Sequence, residues 1–143
     1  MADLRFFHPI EVRYADIDAQ GHANHAVYFT YMEQARTLYI QHLGLWDGSD
    51  FSTIGIILAE ATCTYKAPIH FGQTIRVGVK TVRLGNRSLE LNYSLQDSES
   101  GQEMATGRTI QVAYDYPKGE STPIPEKWRR AVEAFEGLAS ASA

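Results

Sequence analysis

The sequence predicts an α+β fold, one antiparallel sheet of five strands curled around a single long helix, with a short helix closing the chain. Three observations predict it. Residues 24–43 hold a proline-free run with apolar side chains at helical spacing, the signature of a buried helical face. Residues 54–114 then read as successive alternating segments separated by short polar loops, the pattern of neighbouring antiparallel strands. The sheet they form must be covered on its apolar face, and the long helix is the element large and apolar enough to do so.

The first strand is read from Ile10, Val12 and Tyr14, which alternate with Glu11 and Arg13. A loop with two aspartates and two histidines follows and runs straight into the helix. Val27, Tyr28, Tyr31, Met32, Ala35, Leu38, Tyr39 and Leu43 recur every three or four residues. Asn24 is the expected N-cap, since its side-chain oxygen accepts from free first-turn amides. Gly44 stands where a left-handed stop belongs. At about 1.5 Å per residue the helix spans roughly 30 Å. Phe29 and Ile40 lie outside its main apolar face, so it is expected to be covered on more than one side.

A turn-rich stretch, WDGSDFSTIG, leads to an apolar, β-branched segment over residues 54–65. Pro68 ends it, because a central strand does not accept proline. Ile75, Val77 and Val79 alternate in odd register, then Val82 and Leu84 in even register, which predicts a bulge near Lys80 or Thr81. Gly85-Asn86 marks a tight hairpin. Leu89, Leu91, Tyr93 and Leu95 form the next strand. Beyond the loop of residues 97–102, Met104, Thr106, Ile110, Val112 and Tyr114 form the last strand. Pro117 ends the sheet. Pro125 suits the first turn of a closing helix whose apolar face is Trp128, Ala131, Val132 and Phe135, with Gly137 as its stop.

With 143 residues, the chain is read as one domain over residues 1–137 and a disordered tail over residues 138–143. A hydrophobic content of 44% with 21% charged residues is that of an ordinary soluble protein. The net charge of -4 argues against a general nucleic-acid binder. The single cysteine, Cys63, excludes an intrachain disulfide and a cysteine-based zinc site. The N-terminus shows no signal peptide and no segment reads as a membrane span, so a cytoplasmic protein is expected.

The text of the loop and helix start resembles the hotdog-fold acyl-CoA thioesterases of the 4-hydroxybenzoyl-CoA thioesterase type. The matching residues are Tyr14-Ala15-Asp16-Ile17-Asp18, Gly21-His22-Ala23-Asn24-His25, Tyr28-Phe29 and residues 31–36. Tyr65-Lys66-Ala67-Pro68 with Gly72 is similar to the family's second-strand exit, and Gly85 followed by Ser88 to its central hairpin. The resemblance covers residues 8–116. It implies a hotdog fold and hydrolysis of an acyl-CoA substrate. It also implies a homodimer or homotetramer with the acyl-CoA at a subunit interface, and no cofactor. It further implies that Asp18 is the catalytic carboxylate and that the His25 amide polarises the thioester carbonyl. At His22-Ala23 the sequence departs from the 4-hydroxybenzoyl-specific members and is similar to relatives acting on long-chain or assorted acyl-CoA esters.

The residues support that chemistry independently. A thioester carbonyl is electrophilic, and its leaving thiol has a pKa near ~8.5, so no strong general acid is required. Asp18 precedes a helix N-terminus, where unpaired amides favour negative charge and can stabilise an oxyanion. Asp18 either attacks the carbonyl or activates water. Asp16 is read as structural, holding the loop or pairing with Arg36. His22 and His25 are weighed as bases against plain loop hydrogen bonding. Asn24 is a cap, or else positions Asp18. Tyr28 belongs to the core or lines the acyl pocket, and Glu33 is the reserve carboxylate. Arg83, Arg87 and Lys66 are candidates for the CoA phosphates or else solvated charges, and Ser88 is placed with Arg87 among the substrate contacts. Asp16, Asp18, His22 and His25 carry metal-ligand atoms, but in no standard metal spacing, so no metal is expected. The competing functions are a non-catalytic acyl-CoA sensor and a hydratase of the same fold. The second lacks the Asp-His pair expected on its helix.

Overall fold

The computed structural model describes residues 3–138. The five residues 139–143 of the expected tail lie outside them, while Leu138 packs against the core. The elements in order are β1 (Phe7–Glu11), a 3-10 turn (Tyr14–Asp16), α1 (Val27–His42), a second 3-10 turn (Phe51–Thr53), β2 (Ile56–Tyr65), β3 (Thr74–Leu84), β4 (Ser88–Asp97), β5 (Glu103–Asp115), β6 (Glu120–Ser121) and α2 (Glu126–Glu136). The main sheet is antiparallel with the order β1-β3-β4-β5-β2, and the short β6 pairs with the end of β5. The sheet thus contains a β3-β4-β5 meander. β2 does not extend the meander from β3: it crosses over and pairs with β5 at the far edge.

The long helix fills the hollow of the sheet as expected. Tyr28, Tyr31, Met32, Ala35, Tyr39 and Ile40 are buried on it. Ile40, read as lying off the apolar face, is covered because α1 is enclosed on more than one side. The helix begins later than predicted. Ala26, not Asn24, is its N-cap, and the preceding turn closes through Val27 N–H donating to the Asn24 carbonyl at 2.9 Å. Gly44 adopts φ +80 after the last turn. Tyr14, expected to point inward from the first strand, is 86% exposed because β1 has ended and the chain has entered the 3-10 turn.

The sheet's inner face is built by Ile75, Val77, Val79, Leu89, Leu91, Tyr93 and Leu95, each buried. The register of β3 shifts between Thr81 and Arg83, one residue beyond the expected bulge. β5 forms as read, and beyond Met104 its buried side is the odd-numbered one. Ala105, Thr109, Gln111 and Ala113 are buried, whereas Thr106, Ile110, Val112 and Tyr114 are only half-buried. The cause is the bulk of α1. A Cβ on Gly107 would sit 2.2 Å from Met32 Sδ, so this strand meets the helix through small and polar residues.

α2 closes one end of the helix. Its N-cap is Pro125 and its C-cap is the left-handed Gly137. Burial pushes the Tyr39 hydroxyl's pKa up, and that hydroxyl donates to Glu136 and shares a 2.8 Å hydrogen bond with Thr81. Among the described residues no helix is long and apolar enough to cross a membrane.

Candidate active site

The loop between β1 and α1 is locked by Asp16. Its side chain is 1% exposed and accepts from the Arg13 backbone N–H at 2.9 Å, the Arg13 guanidinium at 2.8 Å and the Tyr31 hydroxyl at 2.9 Å. Burial pushes the Asp16 carboxyl's pKa up, but the bonds from Arg13 and Tyr31 outweigh it and hold the pKa below its ordinary value. Arg36, the expected partner, instead reaches the Tyr93 hydroxyl at 3.2 Å and Glu33 at 3.6 Å. It sits on the helix too far along to meet the loop, so Asp16 is structural through Arg13.

Asp18 is held differently. Its Oδ1 accepts from the Gln20 N–H at 2.9 Å and its Oδ2 from Asn24 Nδ2 at 3.2 Å. The loop is closed behind it by Asp18 N–H donating to the His22 carbonyl at 3.1 Å and Ala23 N–H donating to the Ile69 carbonyl at 2.7 Å. Asn24 therefore positions Asp18, as weighed for it, and ties the turn ahead of the helix instead of capping the helix itself. Its Nδ2 orients Asp18, and its Oδ1 accepts from the Ala26 N–H at 3.0 Å.

The entry to α1 leaves the amides of His25 and Tyr28 without an acceptor among the described residues. The amides of Asn24, Ala26 and Val27 are all bonded, to the Asp16 carbonyl, Asn24 Oδ1 and the Asn24 carbonyl. The His25 amide has no acceptor among the described residues, and His25 is exposed. Free amides at a helix entry favour negative charge.

Asp18, His22, His25 and Tyr28 line one open cavity of about 320 Å³, together with Tyr65, Lys66, Ala67 and Pro68. Tyr28 is buried, and its hydroxyl bonds the Ala67 carbonyl at 3.4 Å and the Ile69 N–H at 3.3 Å. It thereby fixes the wall opposite the loop. The His22 Nδ1 lies 3.3 Å from the Ala23 carbonyl, and its ring meets His70 edge-on. Neither histidine ring bonds Asp18.

Tyr65 was not picked out as a site residue from the sequence. Its hydroxyl donates to the His25 carbonyl at 2.8 Å and its ring packs on Tyr28 at 4.8 Å. Burial first, then the neighbouring Cys63, pushes that hydroxyl's pKa up to about 12, so it remains a donor. The signal available was its position at the end of a strand stopped by Pro68. What could not be read was that the sheet order brings this strand end to the loop.

Arg87 and Ser88 are not brought to this cavity within one chain. They lie at the β3-β4 hairpin, where Arg87 donates to the Ser121 carbonyl at 2.7 Å. Ser88 pairs with Val112, whereas Tyr65 pairs with Ala105, a separation of about 23 Å along β5. Glu33 also lies elsewhere, on the rim of a second cavity. Among the described residues no three His, Cys, Asp or Glu side chains converge as a metal site.

The model of the thioesterase-like superfamily matches residues 12–132. The chain is 32% identical to a putative acyl-CoA thioesterase, YneP, of Bacillus subtilis, over 76% of this chain and 87% of that one. It is 24% identical to a 1,4-dihydroxy-2-naphthoyl-CoA hydrolase of Synechocystis, over 89% and 94% of the two chains. Among solved structures, a Thermus thermophilus thioesterase complexed with coenzyme A and Zn superposes with a TM-score of 0.84 at 31% identity, covering 96% of this chain and 98% of that one.

Proposed function

The chain belongs to the thioesterase-like superfamily and acts as an acyl-CoA thioester hydrolase; from that premise we propose that Asp18 is its general base and the His25 amide its oxyanion donor. One observation carries the reading. Asp18, whose carboxylate is oriented by two hydrogen bonds, and His25, whose amide has no acceptor among the described residues, line the same open cavity. The bonds to both Asp18 oxygens favour the role of base over that of nucleophile. A base needs one free lone pair. A nucleophile must bring its oxygen onto the carbonyl carbon itself, a movement that the bonds from Gln20 and Asn24 oppose.

In this mechanism Asp18 takes a proton from water as the water oxygen bonds to the thioester carbon. The carbonyl oxygen becomes an oxyanion and accepts from the His25 N–H. Collapse restores the carbonyl and breaks the carbon–sulfur bond. The departing thiolate recovers the proton from Asp18, leaving a carboxylic acid and free CoA. Asp18→Asn is expected to lower kcat for every active ester by about 10²- to 10⁴-fold, the usual range for a general base. Thiol release from a panel of acyl-CoA esters measures this, and unchanged hydrolysis across the panel would refute the assignment. A single turnover in ¹⁸O-labelled water tests for a nucleophile whose anhydride opens at the aspartyl carbon. Label is expected in the product acid, and its absence from the first turnover would make Asp18 the nucleophile.

The working unit is at least a dimer in this reading. β2 is a ten-residue strand at the sheet edge that exposes Ile57, Leu58 and Tyr65, and long exposed apolar edges pair with a further strand. Antiparallel addition of β2 to the β2 of a second copy sets its C-terminal end, at the Asp18 cavity, beside the partner's N-terminal end. There lies a larger cavity of about 450 Å³ bordered by Ile56, Ile57 and Leu58. Within one chain the two ends are about 30 Å apart. Arg87 and Ser88, as substrate contacts, would serve a site in another subunit.

A further inference from the structure

His25 stands between two peptide groups, and most of their polar atoms are already bonded. The Asn24 carbonyl accepts from the Val27 N–H at 2.9 Å. The Ala26 N–H donates to Asn24 Oδ1 at 3.0 Å, and the His25 carbonyl accepts from the Tyr65 hydroxyl at 2.8 Å. The remaining atom, the His25 N–H, has no acceptor among the described residues. The bonds to Asn24 and Val27 are internal to the turn and move with it. The bond from Tyr65 fixes the same pair of peptides to the sheet.

The strand end that carries Tyr65 is itself firmly held. Tyr65 is the last residue of β2 and pairs with Ala105. Just beyond it, the Lys66 and Ala67 amides both donate to the Met104 carbonyl, at 2.9 and 3.1 Å. The Tyr65 ring meets Tyr28 edge-on, and the Tyr28 hydroxyl bonds the Ala67 carbonyl and the Ile69 N–H. Burial pushes the Tyr65 hydroxyl's pKa up to about 12, so the donor proton is in place at any working pH. Packing on Tyr28 needs the ring alone. With 43% of the residue exposed, a hydroxyl that served nothing would point to water. Here it is spent on the carbonyl beside the free amide.

We propose that Tyr65 is the positioning residue for the His25 amide: from the end of β2 it sets the direction in which that N–H meets the substrate's carbonyl oxygen. The inference rests on the thioesterase reading above and deepens it by naming the group that aims its oxyanion donor. Such a donor works where charge develops in the transition state and must be aimed before the reaction begins. A small misplacement by a group that meets no reacting atom is therefore felt in the rate. Without the Tyr65 bond, the His25–Ala26 peptide keeps its tie to Asn24 and can turn about it. The sheet then no longer fixes where the neighbouring N–H points.

The test uses the full chain and Tyr65→Phe, which removes the hydroxyl and keeps the ring on Tyr28. On the most active ester of the panel, kcat is expected to fall about tenfold, less than the roughly 10²- to 10³-fold that follows loss of an oxyanion donor itself. KM is expected to stay within about twofold, since the lost interaction is made in the transition state. Two inert CoA conjugates separate aiming from packing. Trifluoroacetonyl-CoA is hydrated in water to a tetrahedral centre like the intermediate, and the propyl thioether of CoA has no oxygen there. Tyr65→Phe is expected to weaken the first about tenfold by calorimetry and the second less than about twofold. Tyr65→Leu repeats the comparison should Phe unsettle the fold, and the ratio of the two affinities should fall in the same way. An unchanged kcat, or equal weakening of both conjugates, overturns the proposal and leaves the thioesterase reading to its own test at Asp18. Hydrolysis of no ester by the wild type removes that parent reading, and this one with it.

Discussion

Two aspartates two residues apart meet opposite environments, and this decides their roles. Asp16 is sealed under Arg13 and Tyr31, with no room for a substrate atom. Asp18 borders an open cavity and is held only by Gln20 and Asn24. The first is a stability residue, and its pH dependence follows in sign. Its folded pKa lies below the ordinary 3.8, so its contribution is complete above that value and is lost as pH falls through the folded pKa. Asp16→Asn keeps the shape but removes the charge. It is expected to cost about 2 kcal/mol at neutral pH, the scale of hydrogen bonds to a charged group. Urea midpoints of wild type and variant should converge on descending from about pH 7 to about pH 2.5. A gap that stays constant over that range would show that the charge at Asp16 contributes nothing.

At the scale of elements, β5 is the strand that decides how closely α1 can approach. A methyl added at Gly107 would overlap Met32 Sδ at 2.2 Å, and Met32 is 1% exposed with little space to retreat. Gly107→Ala is expected to destabilise by about 1–3 kcal/mol, as overpacked cores do. Combined with Met32→Ala, it should cost less than the two single losses added together, because the truncated side chain leaves room for the methyl. Strict additivity in chemical denaturation would mean that the close approach is not what constrains this strand. The same strand shows where the sequence was legible and where it was not. The inner faces of β3 and β4 follow from alternating Val, Leu, Ile and Tyr, and they are buried as read. In β5 the larger apolar residues face outward, because the volume on the inner side is already taken by Met32 of the helix. Alternation reports which residues are apolar, not which side has room for them. Tyr65 was hidden because strand order is a long-range property. Asp18, His22, Asn24, His25 and Tyr28 were legible because one short loop and the helix it enters carry them all. The helix start was misplaced by a capping residue, Asn24, that serves the loop rather than the first turn.

At the scale of the molecule, the proposed carboxylate and the larger cavity lie at opposite ends of one edge strand, and antiparallel pairing of two such strands brings each to the other's partner. That arrangement makes a prediction about mixed subunits. Asp18→Asn removes the base but leaves the cavity. Thr37→Trp, on a half-buried helix position lining the cavity, fills the cavity but leaves the base. Each variant alone is expected to be nearly inactive on long acyl esters. If base and cavity come from different subunits, a mixed pair contains one site with both parts sound, so an equal mixture refolded together should regain about a quarter of wild-type activity. If the groove along α1 serves the carboxylate of its own chain, every site in the mixture carries a defect and no activity returns. The two variants should also be mixed without refolding. Activity that appears only after subunit exchange ties the recovery to the interface, and recovery without exchange would refute the shared site.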